Sequence, residues 1–174
     1  MFLSDSQLNS VAVSRETEDD IFACELCGHC CDGRGGIVVS KADLARLCEF
    51  LDLDVERFER SWGTRRGKKL FIRSGENGCV FFCKDKGCSI HTAKPDICRA
   101  WPYFRGNLVD SESYVLAKDF CPGIPQRQAH EAFVRQGLSY LVRENLVGSC
   151  LPDEAAALQV ADLLEALAHN MEKR

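Results

Sequence analysis

Phe22-Ala23-Cys24-Glu25-Leu26-Cys27-Gly28-His29-Cys30-Cys31 decides how the rest of the chain is read. Four of the eleven cysteines fall within eight residues here. Thiolates spaced this closely converge on one small volume, and a soft metal ion or an iron–sulfur cluster is the usual occupant of such a volume. Cys24/Cys27 and Cys27/Cys30 each have C-x2-C spacing. In such a turn the backbone loops back and its amides point at the sulfurs, so two thiolates reach one metal. Adjacent cysteines diverge in most conformations, so Cys30 and Cys31 serve two metals, or one of them is a thiol behind the ligands.

Working outward, further ligand candidates lie at Cys79, Cys88, Cys98 and Cys121. Turn residues flank them, as in Gly78-Cys79, Gly87-Cys88 and Cys121-Pro122. Cys48 sits inside an apolar periodic run and reads as a core residue, since a free cysteine packs as a small hydrophobe. Cys83 is ambiguous, and Cys150 lies between two expected helices as a bystander. His29 and His91 are weaker ligand candidates. His130 and His169 read as ordinary helix residues.

The chain has 174 residues, enough for one domain with a real core. A formal net charge of −4 gives a nucleic-acid partner no general electrostatic support. No apolar run reaches the length of a membrane span, so no membrane partner is expected. The first residues show no basic region followed by an apolar stretch, so no secretory signal and a cytoplasmic location are expected. In that reducing setting, an odd number of clustered cysteines reads as metal ligands rather than a disulfide framework. The expected partners are metal ions, with a protein partner left open.

Residues 1–21 read as a flexible acidic leader, 22–124 as the cysteine-cluster metal-binding unit, and 125–174 as C-terminal helices packed on the same domain. Ser40 opens a capped helix with Leu44, Leu47, Cys48 and Leu51 at helical spacing. A second helix covers Val55 to Trp62, and Arg65, Arg66, Lys68 and Lys69 form a solvated basic loop. Leu70–Arg73 and Cys79–Phe82 read as strands paired around a Gly75–Gly78 turn, with Ser89–His91 extending the sheet. Lys94-Pro95 opens a short helix through Cys98 and Arg99, ended by Pro102. Tyr114–Leu116 reads as another strand. Pro125 suits a first helical position, with a stripe of Phe133, Leu138, Leu141 and Val142. Pro152 starts a last helix with Leu158, Ala161, Leu164 and Leu167 inward. The expected fold class is α+β: a small antiparallel sheet and cysteine loops with packed helices and a C-terminal helical pair.

The cysteine run resembles the signature of the CxxCxxCC family, the zinc- or iron-chelating YkgJ-like cysteine-cluster proteins. Gly78-Cys79-Val80-Phe81-Phe82 resembles the family's GCVFL strand. Cys88-Ser89-Ile90-His91 and Lys94-Pro95-Asp96-Ile97-Cys98-Arg99-Ala100-Trp101-Pro102 resemble its CSIY…RPxxCRxFP block, and Cys121-Pro122-Gly123 its closing CPG. The resemblance spans about residues 22–124 and carries over Cys24, Cys27, Cys30, Cys31, Cys79, Cys88, Cys98 and Cys121. The implied cofactor is zinc or iron, including a 4Fe–4S cluster. His91 stands where tyrosine is common and Lys94 where arginine is common, and Cys83 is extra to the pattern. Related domains occur within longer flagellin lysine methylases, and the resemblance does not extend to methylase activity.

Three function classes remain. One is a metal-binding protein with a structural, electron-transfer or redox-sensing role; all-thiolate closed sites suit these roles, whereas catalytic zinc keeps an open position. Arg99, next to Cys98, either donates to a thiolate or makes a plain salt bridge. Another class is an iron–sulfur enzyme or maturation factor, using the surroundings of His91, Cys98, Arg99 and Trp101–Phe104. No P-loop, dinucleotide, HExxH or nucleophile-elbow pattern supports it. The third is metal delivery or storage.

Overall fold

A computed structural model describes residues 21–32, 36–76, 78–148, 158–159 and 163–168. The cysteine run lies along the surface and ends in a short 3-10 turn at His29–Cys31. Strand β1 (Ile37–Val39) follows, then helix α1 (Lys41–Leu51). Ser40 and Asp43 form a reciprocal capping box at the start of α1: the Ser40 hydroxyl accepts the Asp43 N–H, and the Asp43 carboxylate accepts the Ser40 N–H. Helix α2 (Val55–Trp62) is capped by Asp54 and buries Phe58 completely.

Strands β2 (Gly63–Arg66) and β3 (Lys69–Ile72) complete a three-stranded antiparallel sheet in the order β1-β3-β2. Leu70 and Ile72 point into the core. The expected basic loop is therefore the tip of a hairpin. Its charges are solvated as expected, with Arg65 paired to Glu59 and the Arg66 guanidinium over the Phe71 ring.

The expected pairing of Leu70–Arg73 with Cys79–Phe82 is corrected. Leu70–Ile72 pair with β1 and β2. The Gly75–Gly78 turn exists, but it joins only β4 (Ser74–Gly75) to β5 (Gly78–Cys79). Phe81 turns inward against Phe58 and Trp62, which ends the strand early. Ser89–His91 is not a strand. Cys88 already pairs with Phe82 through β6 (Phe82–Cys83) and β7 (Gly87–Cys88), Ile90 drops into the core, and His91 opens a 3-10 turn.

The short helix after Pro95 is α3 (Asp96–Ala100), followed by α4 (Arg105–Val109). The expected strand at Tyr114–Leu116 is helical, within α5 (Ser111–Phe120). Asp110 caps it by accepting the Ser113 N–H. Tyr114, Ala117 and Cys121 then fall on one buried side, a spacing of three and four that only a helix satisfies. Helix α6 (His130–Arg143) starts five residues after Pro125. Phe133, Leu138 and Leu141 are buried as expected, while Val142 faces solvent and Val134 and Gly137 complete the stripe.

Most of the expected last helix lies outside the described residues. Leu158 is in β9 (Leu158–Gln159), which pairs parallel with β8 (Val147–Gly148), and residues 163–168 are helical, with Ala166 buried and Leu164 and Leu167 exposed rather than inward. The architecture is α+β. Among the described residues, no helix is long and apolar enough to cross a membrane.

Two apolar clusters make the core. One lies between the three-stranded sheet and α1–α2, around Leu47, Phe58 and Ile72, and takes in Cys79 with Cys31 and Cys88 at its edge. The other lies among α3–α6, around Tyr103, Leu108, Phe133 and Leu141, and takes in Cys121. Burying a Leu or Phe side chain contributes about 1.5–3 kcal/mol, so each cluster is a substantial source of stability. The cysteine run passes across the seam between them.

Candidate metal centre

The cysteine run is laid down by close backbone contacts with the segments that carry the other thiols. The Ala23 N–H donates to the Gly123 carbonyl at 3.1 Å, which sets Cys24 beside the Cys121 segment. A Cβ on Gly123 would lie 2.1 Å from the Ala23 carbonyl oxygen. Gly78, at φ +88, passes under the Cys31 carbonyl, where a Cβ would come within 2.4 Å. Gly87 likewise lies under Leu26, which stands between Cys24 and Cys27. A glycine adjoining Cys79 or Cys88, or two residues past Cys121, is therefore the point where each thiol segment meets the run. His29 anchors the far end: its Nδ1–H donates to the Phe120 carbonyl at 2.7 Å, and its ring lies against Phe120.

Helix α3, which carries Cys98, is held from both sides of the seam. On the sheet side, the fully buried Asp43 accepts the Asp96 backbone N–H at 2.9 Å. Arg46 joins Asp43 at 2.6 Å, Asp96 at 2.7 Å and the Lys94 carbonyl at 3.1 Å. On the helical side, the Tyr140 hydroxyl donates to the Arg99 carbonyl at 3.0 Å, and Arg99 pairs with Glu144 at 2.8 Å. Of the two roles expected for Arg99, the geometry gives the salt bridge, to Asp96 and Glu144.

The thiols of Cys24, Cys27, Cys30, Cys31, Cys79, Cys88, Cys98 and Cys121 form one electrostatic neighbourhood. Cys30 acts on Cys31, Cys79, Cys88, Cys98 and Cys121; Cys24 acts on Cys88, and Cys27 on Cys121. Burial pushes the Cys79, Cys88 and Cys121 thiols up, and Cys98 up to about 12. The Cys31 thiol donates to the Cys30 sulfur. That hydrogen bond, helped by the charge of Lys94, pulls Cys30 down to about 6 and pushes Cys31 up. Lys94 also favours the thiolates of Cys88 and Cys98. Its ammonium donates to His91 Nε2 at 3.3 Å, so the acceptor ring is neutral; burial and then the Lys94 charge both hold His91 below its usual range.

Exposure divides the group. Cys24, Cys27 and Cys30 are exposed, Cys31, Cys88 and Cys98 are partly buried, and Cys79 and Cys121 are buried. All these cysteines are free thiols. Cys48 is a buried residue of α1, where the groups acting on it are Asp54 and Glu59 rather than any thiol. Cys83 is exposed, and Cys150 lies outside the described residues. Among the described residues, no three His, Cys, Asp or Glu side chains already stand as a ready-made ligand set. The donor chemistry fits a thiophilic ion, and ligation requires side chains to turn inward.

Sequence reasoning did not find Asp43 and Arg46 as supports of the Cys98 helix, nor Lys94 as the cation facing the thiols. The capping box at Ser40 and Asp43 was visible, but its second partner lies 53 residues away.

A family model, CxxCxxCC, described as "Putative zinc- or iron-chelating domain", matches residues 23–122. No solved structure matches the chain.

Proposed function

The chain belongs to the CxxCxxCC family of zinc- or iron-chelating domains, and from that premise we propose that thiolates at the seam hold the metal and thereby tie the two apolar clusters together. Cys24, Cys27, Cys30, Cys31, Cys79, Cys88, Cys98 and Cys121 are the proposed ligands. One observation supports this reading: thiols from separate chain segments lie within electrostatic reach of one another where the two clusters adjoin. A cation bound there would deprotonate the thiols and repay the cost of bringing them together. Lys94 supplies one positive charge toward Cys30, Cys88 and Cys98, which is far short of what several thiolates require. Asp43, Arg46, Tyr140 and Glu144 hold the Cys98 helix in place from both sides, as supports behind metal ligands do.

A structural role follows from the position at the seam. Exposure of Cys24, Cys27 and Cys30 favours a second role, electron transfer or redox sensing, because electrons or oxidants reach an exposed thiolate edge directly. The same thiolates accept zinc or iron, and geometry and supply decide between them.

The test is metal content with an ultraviolet–visible spectrum on protein purified without oxygen, followed by melting with and without chelator. Stoichiometric zinc or iron, and a lower melting temperature after removal, support the reading. Brown protein with inorganic sulfide that bleaches on reduction selects the cluster and the redox role. Colourless zinc protein selects the structural role. Metal-free protein that takes up neither metal and melts identically with chelator overturns it.

A further inference from the structure

We infer that His29 is a metal ligand through Nε2, so that metal bound at the seam takes one imidazole nitrogen beside its thiolates. This rests on the reading that the seam thiolates bind metal, and adds a ligand of different chemistry to them.

His29 stands inside the run, between Cys27 and Cys30, and opens the turn that ends it. Its ring is held by one nitrogen. The Phe120 carbonyl, 2.7 Å from Nδ1, can only accept, so Nδ1 carries a proton and donates it. A metal therefore has Nε2 to bind. The Phe120 ring backs the imidazole, with centroids 5.3 Å apart. A hydrogen bond from one ring nitrogen to a backbone carbonyl is what holds metal-bound histidines in place. It fixes the tautomer and the ring orientation, and it raises the basicity of the ligating nitrogen. Phe120 directly precedes Cys121, so the anchor ties the ring to a segment that supplies a buried thiol, on which Cys27 and Cys30 act. His29 is exposed, and among the described residues no group bonds to Nε2.

Two other described histidines are placed differently. His91 Nε2 already accepts from the Lys94 ammonium at 3.3 Å. His130 gives Nε2 to the Asn107 carbonyl at 2.8 Å and stacks on Tyr114 in the helical cluster. Of these three rings, His29 keeps Nε2 for a ligand, and its chain neighbours on either side are exposed cysteines of the run. Charge supplies the reason for a nitrogen. Each thiolate adds a full negative charge at the seam, against the one positive charge that Lys94 directs at Cys30, Cys88 and Cys98. A neutral imidazole in place of one thiolate leaves the bound centre one unit less negative. Zinc and iron–sulfur centres both accept that exchange, and in the latter it raises the reduction potential.

The test loads full-length protein with a spin-active cadmium isotope under reducing, oxygen-free conditions, with histidine labelled by heavy nitrogen. Thiolate-to-cadmium absorption in the ultraviolet reports the cysteines, and nuclear magnetic resonance reads coupling between metal and nitrogen. The inference expects one coupled histidine, through Nε2, with its Nδ1 still protonated. His29→Asn should abolish that coupling. Its amide can donate to the Phe120 carbonyl from the position of Nδ1, but it has no second ring nitrogen for the metal. Loaded with zinc, the same variant should release the metal to a chromogenic chelator at least about tenfold faster than the wild-type protein. No coupled histidine, coupling through Nδ1, coupling that survives in His29→Asn, or release at the wild-type rate overturns His29 as a ligand, while thiolate absorption shows metal binding intact. Wild-type protein that gives no thiolate-to-cadmium absorption and takes up no zinc or iron overturns the binding reading itself, and this inference with it.

Discussion

Asp43 on α1 accepts the backbone N–H of Asp96 at 2.9 Å, so a side chain on the helix that lines one apolar cluster caps the helix that carries Cys98 at the seam with the other. The same carboxylate caps its own helix and pairs with Arg46, and it is 1% exposed. Asp43→Ala leaves the half-buried Asp96 N–H without its acceptor and takes one of two carboxylates from the Arg46 guanidinium. The expected loss is about 2–4 kcal/mol, read by urea unfolding. Metal retention should fall with it, because Cys98 loses its fixed position. An unchanged unfolding midpoint would show that the joint is dispensable.

The docking of the cysteine run predicts that glycines matter as much as thiols. Gly123→Ala places a methyl 2.1 Å from the Ala23 carbonyl oxygen, and Gly78→Ala places one 2.4 Å from the Cys31 carbonyl oxygen. Both obstacles are backbone, so the run must lift away. Each variant should lower metal content although every cysteine remains. Gly75→Ala is the control, since its nearest atom would be 4.0 Å away in the same small hairpin. Equal metal content in all three proteins would refute the docking argument.

Much of this arrangement is legible in the residues. The capping box at Ser40, the apolar spacing of α1 and α2, and the Gly–Cys pairs each follow from local rules. Tyr114–Leu116 misreads because two β-prone residues, Tyr114 and Val115, outweigh a helix whose buried face is spelled by Tyr114, Ala117 and Cys121. The pairing of Leu70–Ile72 misreads because the nearest partner in sequence loses to Ile37–Val39 and Gly63–Arg66, a choice set by Phe81 entering the core. The clamp on α3 is illegible for a different reason. Its members, Asp43, Arg46, Asp96, Arg99 and Glu144, look like surface charges until the fold brings them together.

The cysteines are not equivalent, and substitution should sort them. Cys27→Ser and Cys98→Ser should lose metal and melt lower. Cys48→Ala should keep full metal content and lose only about 1 kcal/mol, the packing of one small buried side chain. Cys83→Ser should change neither quantity, since Cys83 is not among the groups acting on the seam thiols. Metal analysis alongside thermal melting separates the outcomes. Full occupancy and unchanged melting in both Cys27→Ser and Cys98→Ser would remove those two residues from the ligand set.

Tyr114 predicts a specific alkaline weakness in the helical cluster. Its ring is 3% exposed, stacks on His130 and meets Phe133, and its hydroxyl donates to the Gln128 carbonyl at 2.7 Å. Burial, reinforced by the negative charge of Glu131, pushes its pKa up to about 12. Below pH 10 the folded and unfolded chains both keep the proton, and the contribution is complete. Between pH 10 and 12 the unfolded chain ionises while the folded one holds its proton, so stability falls as pH rises. Tyr114→Phe removes the hydrogen bond at a cost of about 1 kcal/mol near neutrality. It should also flatten the melting temperature's decline between pH 10 and 12 relative to the wild-type protein, with the cysteines contributing equally to both. Parallel declines in the two proteins would mean that Tyr114 ionises as readily when folded as when unfolded.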